Sequence, residues 1–224
     1  MSAATSDPPL TPLLVPLGES ALVIKYADRF DPHANRVAIA MARLLATRDV
    51  PGVLEVVPNL VSVLVRFDPA ATRFDAVAGE VRLLTSLDFP ETGVPKHHRV
   101  SIRFGGPDGP DLDAVAEGVG MSVEAFIDAH NATPLHVLAT GFAPGFVYCG
   151  MHDERLHLPR RSEVRTSVSA GSVLFAAGQT AIAATPIPTG WHVIGHTDFR
   201  NFDPAAVPPT HLRPGDIVSF EAMP

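Results

Sequence analysis

The sequence contains a single cysteine, Cys149, in 224 residues. That excludes an internal disulfide framework and fits a reducing cytoplasm. No run approaches the ~18 consecutive apolar residues of a membrane-spanning helix. Met1 to Pro12 has no Lys or Arg and no continuous apolar stretch, so no signal peptide is legible. Basic charge is also scarce. Seventeen Lys and Arg against 24 Asp and Glu leave a net charge of −7, which repels a phosphate backbone and argues against nucleic acid as a partner. There is no HExxH, no CxxC, no carboxylate cluster, no G-x-S-x-G elbow and no GxxxxGK[ST] loop. His192 and His196 have the spacing of a helical zinc pair, but Gly190, Val193, Ile194 and Gly195 around them predict a strand. On a strand their Cα atoms would stand ~13 Å apart, too far for one tetrahedral ion. The chain therefore carries no self-contained metal site or nucleophilic triad.

What is present describes a globular protein: 46% hydrophobic and 18% charged residues, with 22 prolines and 17 glycines that imply many turns between strands. Residues 1–12 are expected to be disordered. Leu13 to Ala27 alternates about Gly18 and reads as two strands. Asp31-Pro32 opens a helix, with Asp31 as N-cap and Pro32 at the first helical position. Val53–Val57 and Leu60–Phe67 follow as strands, and Phe74, Val77, Val81 and Leu84 mark a second helix near Arg73–Leu87. The expectation is an α+β domain over 13–90, with two helices on a small antiparallel sheet. Residues 91–98 read as a linker that ends at a solvated His97-His98. From 99 onward Arg99–Phe104 is a strand, and Asp111–Gly118 and Ser122–His130 are short helices capped by Asp111 and Ser122. Short apolar runs between Gly and Pro then suggest an all-β barrel filling the domain 99–224. GGPDGPD, after the first of these strands, reads as a strand-to-helix turn rather than a phosphate loop.

Several side chains are candidates for chemistry. In GFAPGFVYCG, Gly141 and Gly145 flank a bend that can aim amides at an anion, with Phe142, Phe146 and Tyr148 as aromatic walls. A plain barrel corner explains the same residues equally well. Arg160 and Arg165, in a locally basic stretch, match a carboxylate, although a solvated basic surface is an equal reading. Gln179 complements an amide edge, and Ser172 lies in the Ala170-Gly171-Ser172 turn before an apolar strand. Trp191 can stack on a planar ligand or fill the barrel. His130, at the end of a helix, is the best-placed general base. Cys149 lies in an apolar context and reads as an inert thiol.

Taken in order, H130…GFAPGFVYCG…LPRRSEVRTSVSAGSV…GQTAIAATPIPTGWHVIGHT…FDP…LRPGDIVSF, with PLGESALVIKY and PGVLEVVPNLVSVLVRFDP before them, resembles the family of 5-oxoprolinase B-type subunits, also described as KipI-like or allophanate hydrolase subunit 1. The resemblance implies an α+β domain followed by a cyclophilin-like barrel. In activity it implies a non-autonomous subunit of an ATP-dependent enzyme that opens the lactam of 5-oxoproline, or of a related urea-type amidohydrolase. Its implied partners are a carboxyltransferase-like C-type subunit and an A-type subunit, with ATP bound by or shared with them. On this reading His130, Gln179 and Arg160 are catalytic, and Phe142, Gly145, Phe146, Arg165, Ser172 and Trp191 hold the substrate. Ala183 and His196 stand where the family usually carries Tyr and Arg. The resemblance also offers a regulatory reading, inhibition of a sensor histidine kinase. The barrel's likeness to a prolyl isomerase is fold analogy only.

Overall fold

In a computed structural model, which describes residues 10–85 and 94–223, the first apolar alternations form strands β1 (Leu13–Pro16) and β2 (Ala21–Lys25). Helix α1 (Pro32–Thr47) starts as its chemistry dictates. The Asp31 carboxylate accepts from the Ala34 amide at 2.7 Å, and Pro32 fills a position whose N–H would lack an intrahelical acceptor. Strands β3 (Val53–Pro58) and β4 (Ser62–Phe67) and helix α2 (Phe74–Thr85) complete this unit. The sheet runs β1-β2-β4-β3, antiparallel throughout. Leu22 and Ile24 of β2 and Val63, Val65 and Phe67 of β4 share one buried cluster with Ala38, Met41 and Leu45 of α1 and Val77, Val81 and Leu84 of α2. Leu10 packs against that cluster, so order reaches into the stretch expected to be frayed; residues 1–9 lie outside the described ones.

Residue contacts divide the chain into the units Met1–Val94 and Pro95–Pro224. The second begins with β5 (His97–Phe104), so His97 and His98 belong to a strand and not to a linker. Of the rest of the expected linker, 91–93 lies outside the described residues and 94–96 has no regular secondary structure. Helices α3 (Leu112–Gly118) and α4 (Val123–Asn131) follow, the latter capped by the Ser122 hydroxyl, which accepts from Ala125 N. Then come β6 (Leu135–Thr140), β7 (Val147–Gly150), a short 3-10 turn at Glu154–Leu156, β8 (Arg165–Val168), β9 (Ser172–Ala176), β10 (Gln179–Ile182), β11 (Ile187–Thr189), β12 (His192–His196) and β13 (Ile217–Ala222). Seven of them close a barrel in the order β10-β7-β6-β13-β5-β12-β9, and β8 and β11 pair as a separate ribbon. The unit is not all-β, because it includes α3 against β12 and α4 against β13, and β5 and β13 run parallel. Chain-distant partners such as Ile217 and His97 leave no local signature, which is why the start of β5 read as linker.

The side-chain alternation of strands gives this barrel wall two faces. Val147 and Cys149 of β7, Val173 and Phe175 of β9, and Ile182 of β10 point into the barrel interior. Their neighbours Leu174, Ala176, Ala181 and Ala183 belong to a second cluster on the outer side, with Phe146, Val168, Ile187, Trp191 and Val193. Val168 and Ile187 come from the β8–β11 ribbon, which therefore covers this face of the wall.

The glycine-rich stretch is the strand-to-helix turn. Gly105 N donates to the Ile194 carbonyl at 3.1 Å, and a Cβ on Gly109 would stand 2.1 Å from that same oxygen. Gly109→Ala is expected to lower barrel stability by about 1–3 kcal/mol, the usual cost of forced overpacking. Chemical denaturation followed by Trp191 emission reads the change, and wild-type stability in that variant would remove close approach as the reason for this glycine.

Candidate functional site

The outer face carries a ladder of aromatic rings. Phe142 and Phe146 meet at 5.6 Å between centroids, Phe146 and Tyr148 at 4.8 Å, and Tyr148 and Trp191 at 5.9 Å, all edge-on. The Arg160 guanidinium carbon lies 5.7 Å from the Trp191 ring centroid, within range of a cation–π interaction. Phe146 and Trp191 are 3% and 6% exposed. With Tyr148 standing between them, they leave no slot in which both could grip a substrate ring. Burial pushes the Tyr148 phenol up from its usual range, opposed by the charge of Arg160. Phe142 ends the ladder at 70% exposure, with a positive φ of 75°, unusual for a residue with a Cβ.

Phe142 lies in the bend before β7. Gly141 N donates to Phe146 O and Phe146 N donates to Ala143 O, both at 3.1 Å. Among the described residues the amides of Phe142, Ala143 and Gly145 have no such acceptor. Gly145 is required there twice over: its φ is 69°, and a Cβ would meet Phe202 Cβ at 2.5 Å and Ala184 Cβ at 2.8 Å. Its carbonyl accepts from Asn201 Nδ2, which fixes the bend from behind.

The basic stretch is strapped to the same face. Arg161 N donates to Gly190 O at 2.8 Å, and His192 donates from Nε2 to the Pro159 carbonyl at 3.0 Å. A cleft of about 320 Å³ opens beside Pro159, Arg160, Glu163 and His192. Behind it stands Asp111, which caps α3 by position but makes no side-chain cap bond. Its Oδ2 accepts from Val193 N, and its Oδ1 accepts from Arg161 Nη1 and Arg165 Nη2. Arg165, expected to hold a ligand carboxylate, thus already holds an internal one. Sequence reading gave Asp111 only a capping role, because its partners lie 50 residues or more along the chain.

His130 sits elsewhere. It is fully buried in the barrel interior, among Phe104, Phe126, Phe175 and Phe220. Nδ1 faces Asn131 Oδ1 and Nε2 faces the Thr180 hydroxyl, both at 2.8 Å, and His152 Nε2 meets that hydroxyl from the other side, also at 2.8 Å. One proton arrangement satisfies the set with both rings neutral. His130 donates from Nδ1 to Asn131, Thr180 donates to His130, and His152 donates to Thr180. Burial lowers the His130 pKa to about 4 and that of His152, which also feels His130, to about 3. A ring with no exposed surface cannot touch a substrate, so the general-base role expected of His130 does not fit this geometry. The interior position of Thr180, two residues before Ile182 on β10, was the available signal for this group. Cys149 is equally enclosed, and burial pushes its thiol up to about 12, far from a reactive thiolate.

Gln179 stands half-buried at the end of β10, opposite Gly150 and Ala176. Ser172 begins β9 with its hydroxyl 3.3 Å from that of Ser169. The structure therefore collects Phe142, Gly145, Phe146, Arg160, Arg165 and Trp191 along the outer face and segregates His130 inside. Among the described residues no group of three His, Cys, Asp or Glu side chains could hold a metal ion, and no helix is long and apolar enough to cross a membrane.

Three kinds of comparison find similar proteins. The carboxyltransferase domain, subdomain C and D, matches residues 12–212. The B-type subunit of 5-oxoprolinase from Escherichia coli O157:H7 is 36% identical over 208 residues, covering 91% of this chain and 93% of that protein. Its counterpart in Bacillus subtilis (strain 168) is 34% identical, covering 91% and 90%. Among solved structures, TTHA0988 superposes with a TM-score of 0.81 at 30% identity, over 92% of this chain but only 40% of its own. The urea amidolyase of K. lactis has the same fold at a TM-score of 0.74 and 16% identity, over 99% of this chain and 15% of its own length. With a match across both units and near-complete relatives above 30% identity, the chain belongs to the carboxyltransferase subdomain C and D family, which includes proteins named as the B-type subunit of 5-oxoprolinase.

Proposed function

We propose that this chain is the B-type subunit of an ATP-dependent amidohydrolase acting on a small lactam or amide, with the opening of 5-oxoproline to glutamate as its reaction. The observation that carries this reading is the near-full-length likeness to relatives named as 5-oxoprolinase B-type subunits. The site supports it by what it offers and what it lacks. Arg160 is exposed over Trp191, Gln179 presents an amide, and the amides of Phe142, Ala143 and Gly145 are available to an oxyanion. The described residues hold no exposed nucleophile–base pair, so nucleotide and part of the chemistry belong to a carboxyltransferase-like C-type subunit and an A-type subunit. The proton-transfer group is then a partner's.

Co-expression with neighbouring genes, purification of the complex and an ATP-dependent 5-oxoproline assay test this. Turnover of urea or another amide, with none of 5-oxoproline, rejects the lactam assignment. Within an active complex, Arg160→Ala is expected to lower kcat/KM by about 10- to 100-fold, the loss of one charge-assisted contact. The thermal midpoint should stay unchanged, because Arg160 is exposed and bears on Trp191 from outside.

A further inference from the structure

Tyr148 stands at the centre of the outer face. Across the β7–β10 pair it faces Ala181, whose single methyl group leaves the phenol room over the wall. Gln179 shares that face, two residues before Ala181 on β10 and opposite Gly150. A Cβ on Gly150 would meet Gln179 Cγ at 3.1 Å, so the Gln179 side chain lies over β7, at the face position next to Tyr148. Arg160 completes the group. Its guanidinium and the phenol ring stand 5.7 Å and 5.9 Å from the centroid of the same indole, that of Trp191, and the charge of Arg160 is felt at the phenol.

The cluster around these three side chains is apolar, yet their polar heads are unpartnered. Among the described residues the Tyr148 hydroxyl, the Gln179 amide and the Arg160 guanidinium make no hydrogen bond or ion pair, and none is sealed from solvent. Glu163, which lines the same cleft as Arg160, stays out of ion-pair range of it. The half-buried phenol has shed part of its water without gaining a partner, so an acceptor brought by a ligand gains more there than on an open surface. The three heads also differ in kind. The Arg160 fork suits both oxygens of a carboxylate, and Gln179 carries an acceptor and a donor for an amide edge. The phenol is a neutral, directional donor. With the carboxylate taken by the fork, it is left the remaining oxygen of a compact lactam acid, the ring carbonyl.

We propose that Tyr148 is a further substrate-binding residue of this site, its hydroxyl donating to the lactam carbonyl oxygen while Arg160 holds the carboxylate. The identity of the lactam rests on the amidohydrolase reading; the pairing of a phenol donor with an unpaired guanidinium rests on the outer face itself.

An NMR titration of the full chain, with tyrosine labelled by carbon-13 at Cζ, tests this. The sequence has two tyrosines, and the enclosed Tyr26 serves as the reference. 5-Oxoproline should move the Tyr148 resonance saturably and leave that of Tyr26 in place. Cyclopentanecarboxylate, the second ligand, has a five-membered ring and a carboxylate but no lactam oxygen. Tyr148→Phe keeps the ring contacts and removes only the hydroxyl. It should weaken 5-oxoproline about 3- to 10-fold, the loss of one neutral hydrogen bond, and leave cyclopentanecarboxylate unchanged. Arg160→Gln should weaken both acids by at least about tenfold. If Tyr148 served packing alone, Tyr148→Phe would cost both acids equally. Equal losses, no loss for either acid, no effect of Arg160→Gln, a Tyr148 resonance unmoved at saturation, or no binding of 5-oxoproline overturns the proposal. A complex that fails to turn over 5-oxoproline while the chain binds it with this selectivity removes the enzymatic assignment and leaves the Tyr148 contact standing.

Discussion

Acidification from pH 7 to 4.5 is expected to destabilise the barrel unit by about 4–5 kcal/mol, comparable with the whole stability of many domains. The cause is the pair His130 and His152, held neutral by burial, with folded-state pKa values lowered to about 4 and about 3. In the unfolded chain both titrate near 6.5. Below that pH the unfolded state takes up two protons that the folded state refuses, so each ring removes about 1.4 kcal/mol of stability per pH unit. Stability is therefore complete above pH 6.5, declines as pH falls, and levels off only below the folded values. The upper part of the window, pH 6.5 to 5, lies above the usual carboxylate titration and isolates the histidines. Trp191 is the only tryptophan and belongs to this unit, so its emission during urea unfolding at pH 7, 6 and 5 reports the barrel alone. A stability that stays flat between pH 7 and 5 would falsify the account of two enclosed neutral rings.

Asp111→Ala is expected to be the most damaging single change on the outer face, at about 2–4 kcal/mol. The substitution leaves two guanidinium groups to repel each other and strips Val193 N of its acceptor. Removing one partner of a fully buried ion pair costs more; here the side chains of Arg161 and Arg165 are 25% and 32% exposed, and water recovers part of the loss. The damage should spread in a defined direction. Arg161 is adjacent to Arg160 and tied to Gly190, so loosening it should free Arg160 from Trp191 and shift the indole emission to the red. Asp111→Asn keeps an acceptor for Val193 N and should recover about half the loss. If Asp111→Ala is within ~0.5 kcal/mol of wild type, the carboxylate is not the anchor of the basic stretch.

Local physics made much of the fold legible. Asp31-Pro32 and Ser122 announce helix starts because a cap acts within three residues, and the alternation through β2 and the apolar runs of β4 and β9 are read by the same rules that form strands. What escaped was non-local. The parallel pairing of β5 with β13 joins opposite ends of the unit, and nothing in Lys96-His97-His98 signals it. The candidate site divided along the same line. Residue types suited to chemistry were visible in Arg160, Arg165, Phe146 and Trp191, but not the partners they had already taken. Asp111 neutralises Arg165 from 54 residues away, and Tyr148 packs edge-on against both Phe146 and Trp191. His130 looked available because the end of a helix usually faces solvent, whereas this helix delivers it into a sealed interior.

The two-faced wall has a consequence for how such a protein can change. Thr180 and Ile182 answer to the interior, while Ala181 and Ala183 between and beyond them answer to the outer layer. Adjacent codons thus serve separate layers, one inside the barrel and one between its wall and the ribbon. Positions 174, 176, 181 and 183 are themselves fully buried beneath the ribbon, so a larger side chain there is expected to displace the ribbon and the aromatic layer before it disturbs the interior.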